Sequence, residues 1–345
     1  MFTKLPTIRS VLILLMLLVI TLTVLGVLQG PADISLTHIG AIFKQTLFAA
    51  SDNDIPGWQH SIIIDIRLPR VIIALFAGAS LALCGLVMQG MFRNPLASPS
   101  VLGVSSGASL GAVIAIYLGF SLISAWAIPL FAFIGAGLSL SVVYRVASNR
   151  GQTNVATLLL SGVAISALNV AATSLLLALS LSNWDVARMI IYWTMGGLDG
   201  RTWDHVFIIL PIVLSGFVLL LFYSRQLDLL LLGEQHALSV GVDVRRTRRN
   251  LLIISSAMVG ASVSVVGGIG FIGLVVPHIL RLLLGPAHRY LLPACLFGGA
   301  ITLLGADLFL HSFFSEQAIP LGVVTAALGA PFFLFLLIKQ RFVLS

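Results

Sequence analysis

Charged side chains are scarce in this sequence. Asp, Glu, Lys and Arg make up 9% of its 345 residues, whereas 59% of the residues are hydrophobic. Soluble domains carry about 25% charged residues, so this composition excludes a water-soluble globule. A helix that crosses a bilayer uses ~20 mostly apolar residues. The composition therefore predicts an all-α polytopic membrane protein with about ten transmembrane helices.

Recognisable catalytic and nucleotide-binding patterns are also missing. The sequence has no G-x-x-x-x-G-K-[ST] motif, so it encodes no phosphate loop of that kind. Its seven histidines form no H-E-x-x-H motif, and the serines of residues 103–107 lack a triad pattern. The two cysteines, Cys84 and Cys295, lie in apolar runs and are interpreted as small buried hydrophobic residues. An intramembrane hydrolase is therefore disfavoured, and we predict a chain that is no enzyme and holds no cofactor or metal.

Acidic residues are almost absent from the predicted helices. Among the 12 Asp and Glu residues, Asp307 alone falls within an apolar helix, toward the helix end. Ion- and proton-coupled carriers usually place several ionisable groups inside the bundle. A self-sufficient secondary carrier is therefore the less favoured alternative, and we interpret Asp307 as a structural hydrogen-bond acceptor.

The basic residues follow the expected topology of a membrane protein. The formal net charge is +7, and residues 227–250 include the cluster Arg245, Arg246, Arg248 and Arg249. Such clusters are retained in the cytoplasm. The Lys and Arg residues predicted on the opposite side are Lys44, Arg67, Arg70, Arg188 and Arg201. The pattern places both termini in the cytoplasm and gives no reason to expect nucleic-acid binding.

The apolar runs predict one transmembrane domain over residues 1–345. Its predicted parts are helix 1 (11–28), a first half (67–180), helix 6 (206–223), a cytoplasmic loop (227–250) and a second half (251–338). Residues 30–66 and 182–204 are predicted as outer segments. Helix 8 (274–284) is too short to span simply and contains Pro277, which weakly indicates a transport path.

Six small or special residues recur 182 positions apart, which suggests an internal repeat. Since the predicted helix 2 (about 67–89) runs inward and the predicted helix 7 (about 251–269) outward, the two halves would be related by inverted topology. The matching residues are Gly78, Ala79, Ser80, Gly85, Pro95 and Gly103 with Gly260, Ala261, Ser262, Gly267, Pro277 and Gly285.

The loop at 227–250 carries a predicted short helix ahead of its arginines. Glu234, Ala237 and Leu238 share a face, and Gly241 can terminate the helix. The arginines alone would be enough to keep this loop in the cytoplasm. The additional short helix therefore suggests a surface that another protein binds. An idle interfacial helix is the alternative.

Several motifs together resemble the FecCD family, the permeases of ATP-binding-cassette (ABC) importers for ferric siderophores, haem and vitamin B12. The resemblance covers everything after helix 1. The motifs are RLPR at 67–70, GASLA at 78–82, MQG at 88–90, RNPLASP at 93–99, LGV at 102–104, YWTMGG at 192–197, GE at 233–234, GV at 241–242, FIGLVVPH at 271–278, PLGVVTA at 320–326 and GAP at 329–331.

The resemblance implies a ten-helix permease with inverted-repeat halves in a bacterial inner membrane. Implied partners are a second permease copy, two cytoplasmic ATPase subunits that bind ATP and Mg²⁺, and a periplasmic binding protein. The helix with Gly233, Glu234, Ala237 and Gly241 would couple to the ATPase. Asn94 and Leu96 would line the cytoplasmic gate, and Arg67 and Arg70 would face acidic residues of the binding protein.

One position departs from the family pattern. Many relatives carry an outer arginine four residues after the position of Asp307, where this chain has His311. The resemblance predicts a docking contact there that is weaker or pH-sensitive. Arg67 and Arg70 could instead reach lipid headgroups. For the transported substrate we expect a ferric siderophore, with haem next and vitamin B12 after it.

Overall fold

The computed structural model describes residues 8–30, 32, 34–48, 56–95, 97–124, 126–149, 152–153, 155–314, 317 and 319–344. Within these ranges the protein is a bundle of α-helices with one two-stranded antiparallel ladder, β1 (Ser148–Asn149) and β2 (Gln152–Thr153).

The first ten helices lead from the N-terminal side to the middle of the chain. A π-helix (Ile62–Arg67) precedes the fourth helix and a 3₁₀ turn (Pro99–Leu102) precedes the fifth. These helices are α1 (Ile8–Leu28), α2 (Leu36–Phe48), α3 (Gly57–Ser61), α4 (Leu68–Phe92), α5 (Val104–Tyr117), α6 (Phe120–Ile123), α7 (Ala127–Ala147), α8 (Val155–Leu179), α9 (Trp184–Met195) and α10 (Trp203–Phe222).

Six further helices complete the described part of the chain. Two of them, α11 and α12, are short and lie between two apolar helices. The six are α11 (Ser224–Leu231), α12 (Glu234–Ser239), α13 (Val244–Val266), α14 (Ile272–Leu284), α15 (His288–Phe313) and α16 (Leu321–Leu344).

The helix lengths agree with a ten-span membrane protein. Seven described helical segments are long and apolar enough to cross a bilayer, and three shorter apolar ones are added by α5, α14 and α16. At 1.5 Å per residue, the 13-residue α14 spans only ~20 Å of a hydrocarbon core ~30 Å thick. Pro277 lies inside it, as predicted.

The fourth helix is the centre of the bundle. Most of its residues between Val71 and Met91 are buried. At its closest contact with α15, a Cβ on Gly78 would collide with the carbonyl oxygen of Gly299, and a Cβ on Gly299 with that of Gly78. Only glycine at both positions permits this backbone approach, so α4 and α15 pack as one antiparallel pair.

Helices of each half pack against helices of the other half. Helix α4 of the first half packs on α14 and α15 of the second, and α13 of the second half packs on α5 and α7 of the first. Two serines of the predicted repeat meet in the middle: Ser80 and Ser262 both donate to the carbonyl oxygen of Met258, at 3.0 and 2.9 Å. This reciprocity is what an inverted repeat would produce.

The repeat does not extend over all six matched positions. Gly85 lies inside α4, whereas Gly267 ends α13. Pro95 lies in the turn after α4, but Pro277 lies within α14. The constant spacing therefore does not give Gly85 and Pro95 the same helix positions as Gly267 and Pro277, because the two halves have different helix lengths and loops.

Several boundaries differ from the prediction. The segment 30–66 contains α2, α3 and most of the π-helix, and the segment 182–204 contains all of α9 and the first two residues of α10. The arginine cluster is part of α13, which begins at Val244 and not near residue 251. Hydropathy marks only the apolar part of a helix, so it misses amphipathic helices and polar first turns. Below, the end of the bundle that holds Arg70 is called the outer end, and the end that holds α12 the inner end, following the predicted topology.

Candidate functional sites at the two ends of the bundle

Arg70 forms the centre of a charged network at the outer end. Its Nε and Nη2 donate to the two carboxylate oxygens of Asp307, at 3.0 and 2.7 Å, and its Nη1 donates to Asp199 at 2.8 Å. The side chain of Asp307 is 6% exposed and that of Asp199 is 83% exposed. Paired donors on one carboxylate make a strong, directional contact. The network joins α4, α15 and the loop after α9, and it confirms Asp307 as a hydrogen-bond acceptor.

His311 lies beside the same network. Its Nδ1 is 3.4 Å from Nη2 of Arg70 and 2.9 Å from the carbonyl oxygen of Asp307. These groups line a cavity of about 240 Å³. The structure thus brings together Arg70 and His311, two of the three residues predicted to dock a binding protein.

Arg67 is placed differently from Arg70. It is 5% exposed, and its guanidinium donates to the carbonyl oxygens of Val27, Leu28 and Ala32 at 2.9, 2.8 and 2.6 Å. These bonds fasten the end of α1 to the start of α4. Docking through Arg67 stays a prediction, and it would require this side chain to leave three backbone acceptors.

The inner end carries the predicted short helix, α12. Within this helix Ala237 is fully buried, while Leu238 and the following Val240 are 55% and 52% exposed. Glu234 accepts a hydrogen bond from Nη2 of Arg248 in α13 at 2.8 Å. Gly241 follows with φ +85, a left-handed conformation that costs other residues ~1–2 kcal/mol. The helix is therefore fixed on one side and presents an apolar surface on the other.

A second polar pair fixes the segment ahead of α12. Nδ1 of His288 lies 2.6 Å from Oδ1 of Asp228, and the backbone N–H of His288 donates to the same oxygen at 2.9 Å. An ionised carboxylate only accepts, so Nδ1 carries the proton. Partial burial would raise the pKa of Asp228, but the hydrogen bonds from His288 and the charge of Arg289 hold it below its usual value. Asp228 thereby joins α11 to the first turn of α15.

His288 also touches the inner end of α4. Its ring is fully buried, and a Cβ on Gly90 would stand 2.7 Å from its Nε2. Among the described residues Nε2 has no hydrogen-bond partner. Glycine at 90 is thus what allows the ring to lie against α4.

The predicted gate residues, Asn94 and Leu96, come directly after α4 in the sequence. Arg93 ends α4 with φ 51, and the backbone N–H of Asn94 donates to the carbonyl oxygen of Gln89 at 3.3 Å. Nη1 of Arg93 lies 3.7 Å from the position of a Cβ on Gly233, just before α12. Leu96 lies outside the described residues. The turn with Asn94 and the start of α12 are therefore neighbours, although no sequence pattern related them.

Sequence reasoning missed Asp199, Asp228 and His288. Asp199 follows the motif at 192–197, and that proximity could have drawn attention to it. The pair Asp228 and His288 is 60 residues apart in sequence, and neither residue belongs to a recognised motif. Only the packing of α11 on α15 reveals it.

Ten apolar helical segments, three of them short, define a helical membrane transporter subunit, and among the described residues the charged networks lie at its two ends. The comparisons identify its type. The sequence model of the FecCD transport family matches residues 15–339. The chain belongs to the FecCD transport family and is a permease of ABC importers.

Two relatives are named for the transport of different molecules. The chain is 46% identical to the cobalamin import system permease protein BtuC of Halobacterium salinarum over 82% of this chain and 75% of the relative. It is 42% identical to the hemin transport system permease protein HmuU of Yersinia pestis over 86% of this chain and 88% of the relative.

Solved structures agree with the fold. A metal-chelate type ABC transporter in an inward-facing conformation matches with a TM-score of 0.84 and 31% identity, over 96% of this chain and 99% of the other. PsaBC from Streptococcus pneumoniae matches with a TM-score of 0.50 and 17% identity, over 77% of this chain and 88% of the other, and it supports the fold alone.

Proposed function

We propose that this permease imports a bulky metal chelate across a bacterial inner membrane, driven by ATP hydrolysis on separate subunits. The observation that carries the proposal is the match of nearly the whole chain to a metal-chelate type ABC transporter. The absence of a phosphate loop from the sequence is consistent with this division of labour.

Two substrate classes are candidates. A ferric siderophore remains the first prediction, because many FecCD permeases carry such chelates. The names of the relatives favour a second candidate, a tetrapyrrole such as haem or cobalamin. Both classes wrap the metal in an organic ligand, so the permease needs no ligand atoms for a bare ion.

In the proposed complex, α12 docks an ATPase subunit. The exposed Leu238 and Val240 offer apolar surface, while Ala237, Glu234 and the glycines 233 and 241 fix the helix against α13. Asn94 and Leu96 line the inner gate of a pore shared by two permease copies. The contact of Arg93 with the start of α12 gives the ATPase a short route to that gate.

At the outer end, Arg70 and His311 contact a periplasmic binding protein, and acidic groups of that partner would have to compete with Asp199 and Asp307 for Arg70. Arg67 belongs to this proposed surface as well, although its guanidinium is engaged with α1. Complementary charge would orient the partner and speed its encounter, and both effects weaken with salt. Both termini are proposed to lie in the cytoplasm.

A reconstitution assay tests the substrate. The permease is placed in lipid vesicles with the ATPase and binding protein encoded beside it, and uptake of a ferric hydroxamate siderophore, hemin and cyanocobalamin is compared. ATP-dependent uptake of one of these chelates supports the proposal. Uptake that persists without ATPase subunit or binding protein would refute it.

A further inference from the structure

A second cavity at the outer end contains a cation that the charged network leaves unused. The cavity measures about 340 Å³ and lies beside the loop after α9. Small-molecule sites measure ~300–1,000 Å³. It is lined by Ile128, Met189, Tyr192, Trp193, Gly196, Gly197, Asp199, Arg201, Ile319 and Pro320.

Arg201 is the cation in question. The side chain is partly buried and makes no hydrogen bond or ion pair with any described residue. The carboxylate that lines the same cavity, Asp199, is bound to Arg70 at 2.8 Å and is 83% exposed. Burial lowers the pKa of Arg201 to about 10, and the charge of Asp199 only partly opposes this shift. The guanidinium remains charged at neutral pH, without a close counter-ion.

Trp193 forms part of the same cavity wall. It is 7% exposed, and its Nε1 has no hydrogen-bond partner among the described residues. An indole N–H can only donate. A buried donor without an acceptor costs ~1–3 kcal/mol, and a buried charge without a partner costs more. The indole N–H of Trp193 is enclosed by protein atoms, so the donor that an anionic oxygen in the cavity can reach is the guanidinium of Arg201.

The remaining wall is apolar and held in place. Tyr192, Met189 and Ile128 offer aromatic and aliphatic contact surface. The backbone N–H of Gly197 donates to the carbonyl oxygen of Val266 at 2.9 Å, which fastens the loop to the end of α13. The cavity therefore combines the cation Arg201 with a fixed apolar wall, and its one carboxylate, Asp199, is engaged by Arg70.

We propose that this cavity binds a carboxylate carried on a flat, largely apolar body, with Arg201 pairing the anion. The identification of this ligand with the acidic edge of a transported chelate rests on the proposed import function. A concave, partly enclosed site favours a small molecule over a side chain of a docked protein.

A labelling experiment tests the site without transport. In vesicles containing the full chain, Met189→Cys provides a reporter thiol on the cavity wall, since Met189 is 41% exposed and the native Cys84 and Cys295 are buried. Its reaction with the anionic sulfonatoethyl methanethiosulfonate is compared with that of the cationic trimethylammonioethyl reagent. Adding Arg201→Gln should lower the anion-to-cation rate ratio about fivefold or more.

Protection by fragments tests the ligand class. Benzoate should slow labelling of the Met189→Cys chain, the neutral isostere benzamide should not, and Arg201→Gln should abolish the difference. Arg188→Gln is the matched control, because Arg188 stands 5.5 Å from the ring of Tyr192 but does not line the cavity. Equal protection by both fragments, or an anion-to-cation labelling ratio that Arg201→Gln leaves unchanged, would overturn the proposal.

Two further results separate the possible failures. If the binding protein without chelate protects Met189→Cys, and does so only when Arg201 is present, then the anion comes from that protein and the small-molecule assignment is wrong. If benzoate protects as expected but no chelate is taken up by the complete complex, the anion site stands and the import function fails.

Discussion

Nδ1 of His288 lies 2.6 Å from Oδ1 of Asp228, and this contact ties the segment that carries α12 to the bundle. The same histidine lies against Gly90 of α4. Helices α4 and α15 are thus held together at the inner end by His288, in the middle by Gly78 and Gly299, and at the outer end by Arg70 and Asp307. Through His288, the segment α11 therefore meets both α15 and α4.

Removing the carboxylate of Asp228 should destabilise the protein. Asp228→Ala leaves the fully buried His288 with two unsatisfied donors, and we expect a loss of ~2 kcal/mol. Asp228→Asn keeps an oxygen acceptor and should lose less. Thermal unfolding in detergent measures both, with Asp185→Ala in the first turn of α9 as the control. An unchanged melting temperature for Asp228→Ala would contradict the assigned contact.

The same contact predicts a pH dependence. The pKa of Asp228 is lowered in the folded protein, so its stabilisation is present above the usual aspartate value of ~3.9 and is lost as the pH falls through the lower folded value. The advantage of the native chain over Asp228→Asn should therefore persist at neutral pH and shrink below about pH 4. Because the Asp228 side chain is 39% exposed, the effect should be small. If the stability difference between the native chain and Asp228→Asn grew on acidification, the pKa of Asp228 would not be lowered in the folded protein.

Arg70 and Asp307 should be strongly coupled in stability. Their side chains are 18% and 6% exposed, and removing one partner of a buried pair costs ~3–5 kcal/mol. We expect Arg70→Met and Asp307→Leu each to destabilise the protein, and the double variant to lose much less than the sum. Unfolding of the four chains measures the coupling. Asp199→Asn is the control, with an expected loss below ~1 kcal/mol since that side chain is mostly exposed. Additive losses would contradict a shared contact.

The sequence predicted the helical fold well, and the reason is physical. Helix 1 was predicted over residues 11–28 and forms α1 (Ile8–Leu28), which ends at the same residue, because a bilayer demands long apolar runs. Family motifs then pointed to the permease and to α12. The burial of Arg67 and the pairing of Asp228 with His288 depend on which helices become neighbours. Local periodicity carries no information about such contacts between distant segments.

Gly241 should matter for coupling rather than for insertion. No atom lies within 4 Å of the position of its Cβ, so Gly241→Val meets no clash, but φ +85 makes the backbone unfavourable by ~1–2 kcal/mol. We expect normal membrane levels with weaker ATPase association, measured by co-purification. Gly40→Val in α2 is the control, since its Cβ position is also open and its φ is not positive. Full ATPase association in Gly241→Val would favour an idle interfacial helix.

The inner turn should change its accessibility with nucleotide. Asn94→Cys and Leu96→Cys, assembled with the ATPase, are expected to react with a membrane-impermeant thiol reagent at rates that differ between ATP-bound and nucleotide-free states. The native cysteines are buried and give little background. Arg145→Cys in the last turn of α7, away from α12, serves as a reference for general access from the inner side. Equal rates in both nucleotide states would remove these residues from the gate.

Uptake by the reconstituted complex tests the central claim most directly. Vesicles contain the permease with its ATPase inside and its binding protein outside, and accumulation of chelate is followed with and without ATP. The claim predicts accumulation only when ATP, ATPase and binding protein are all present, and no ATP hydrolysis by the purified permease alone. Accumulation without ATP, or hydrolysis by the permease in the absence of any ATPase subunit, would contradict it.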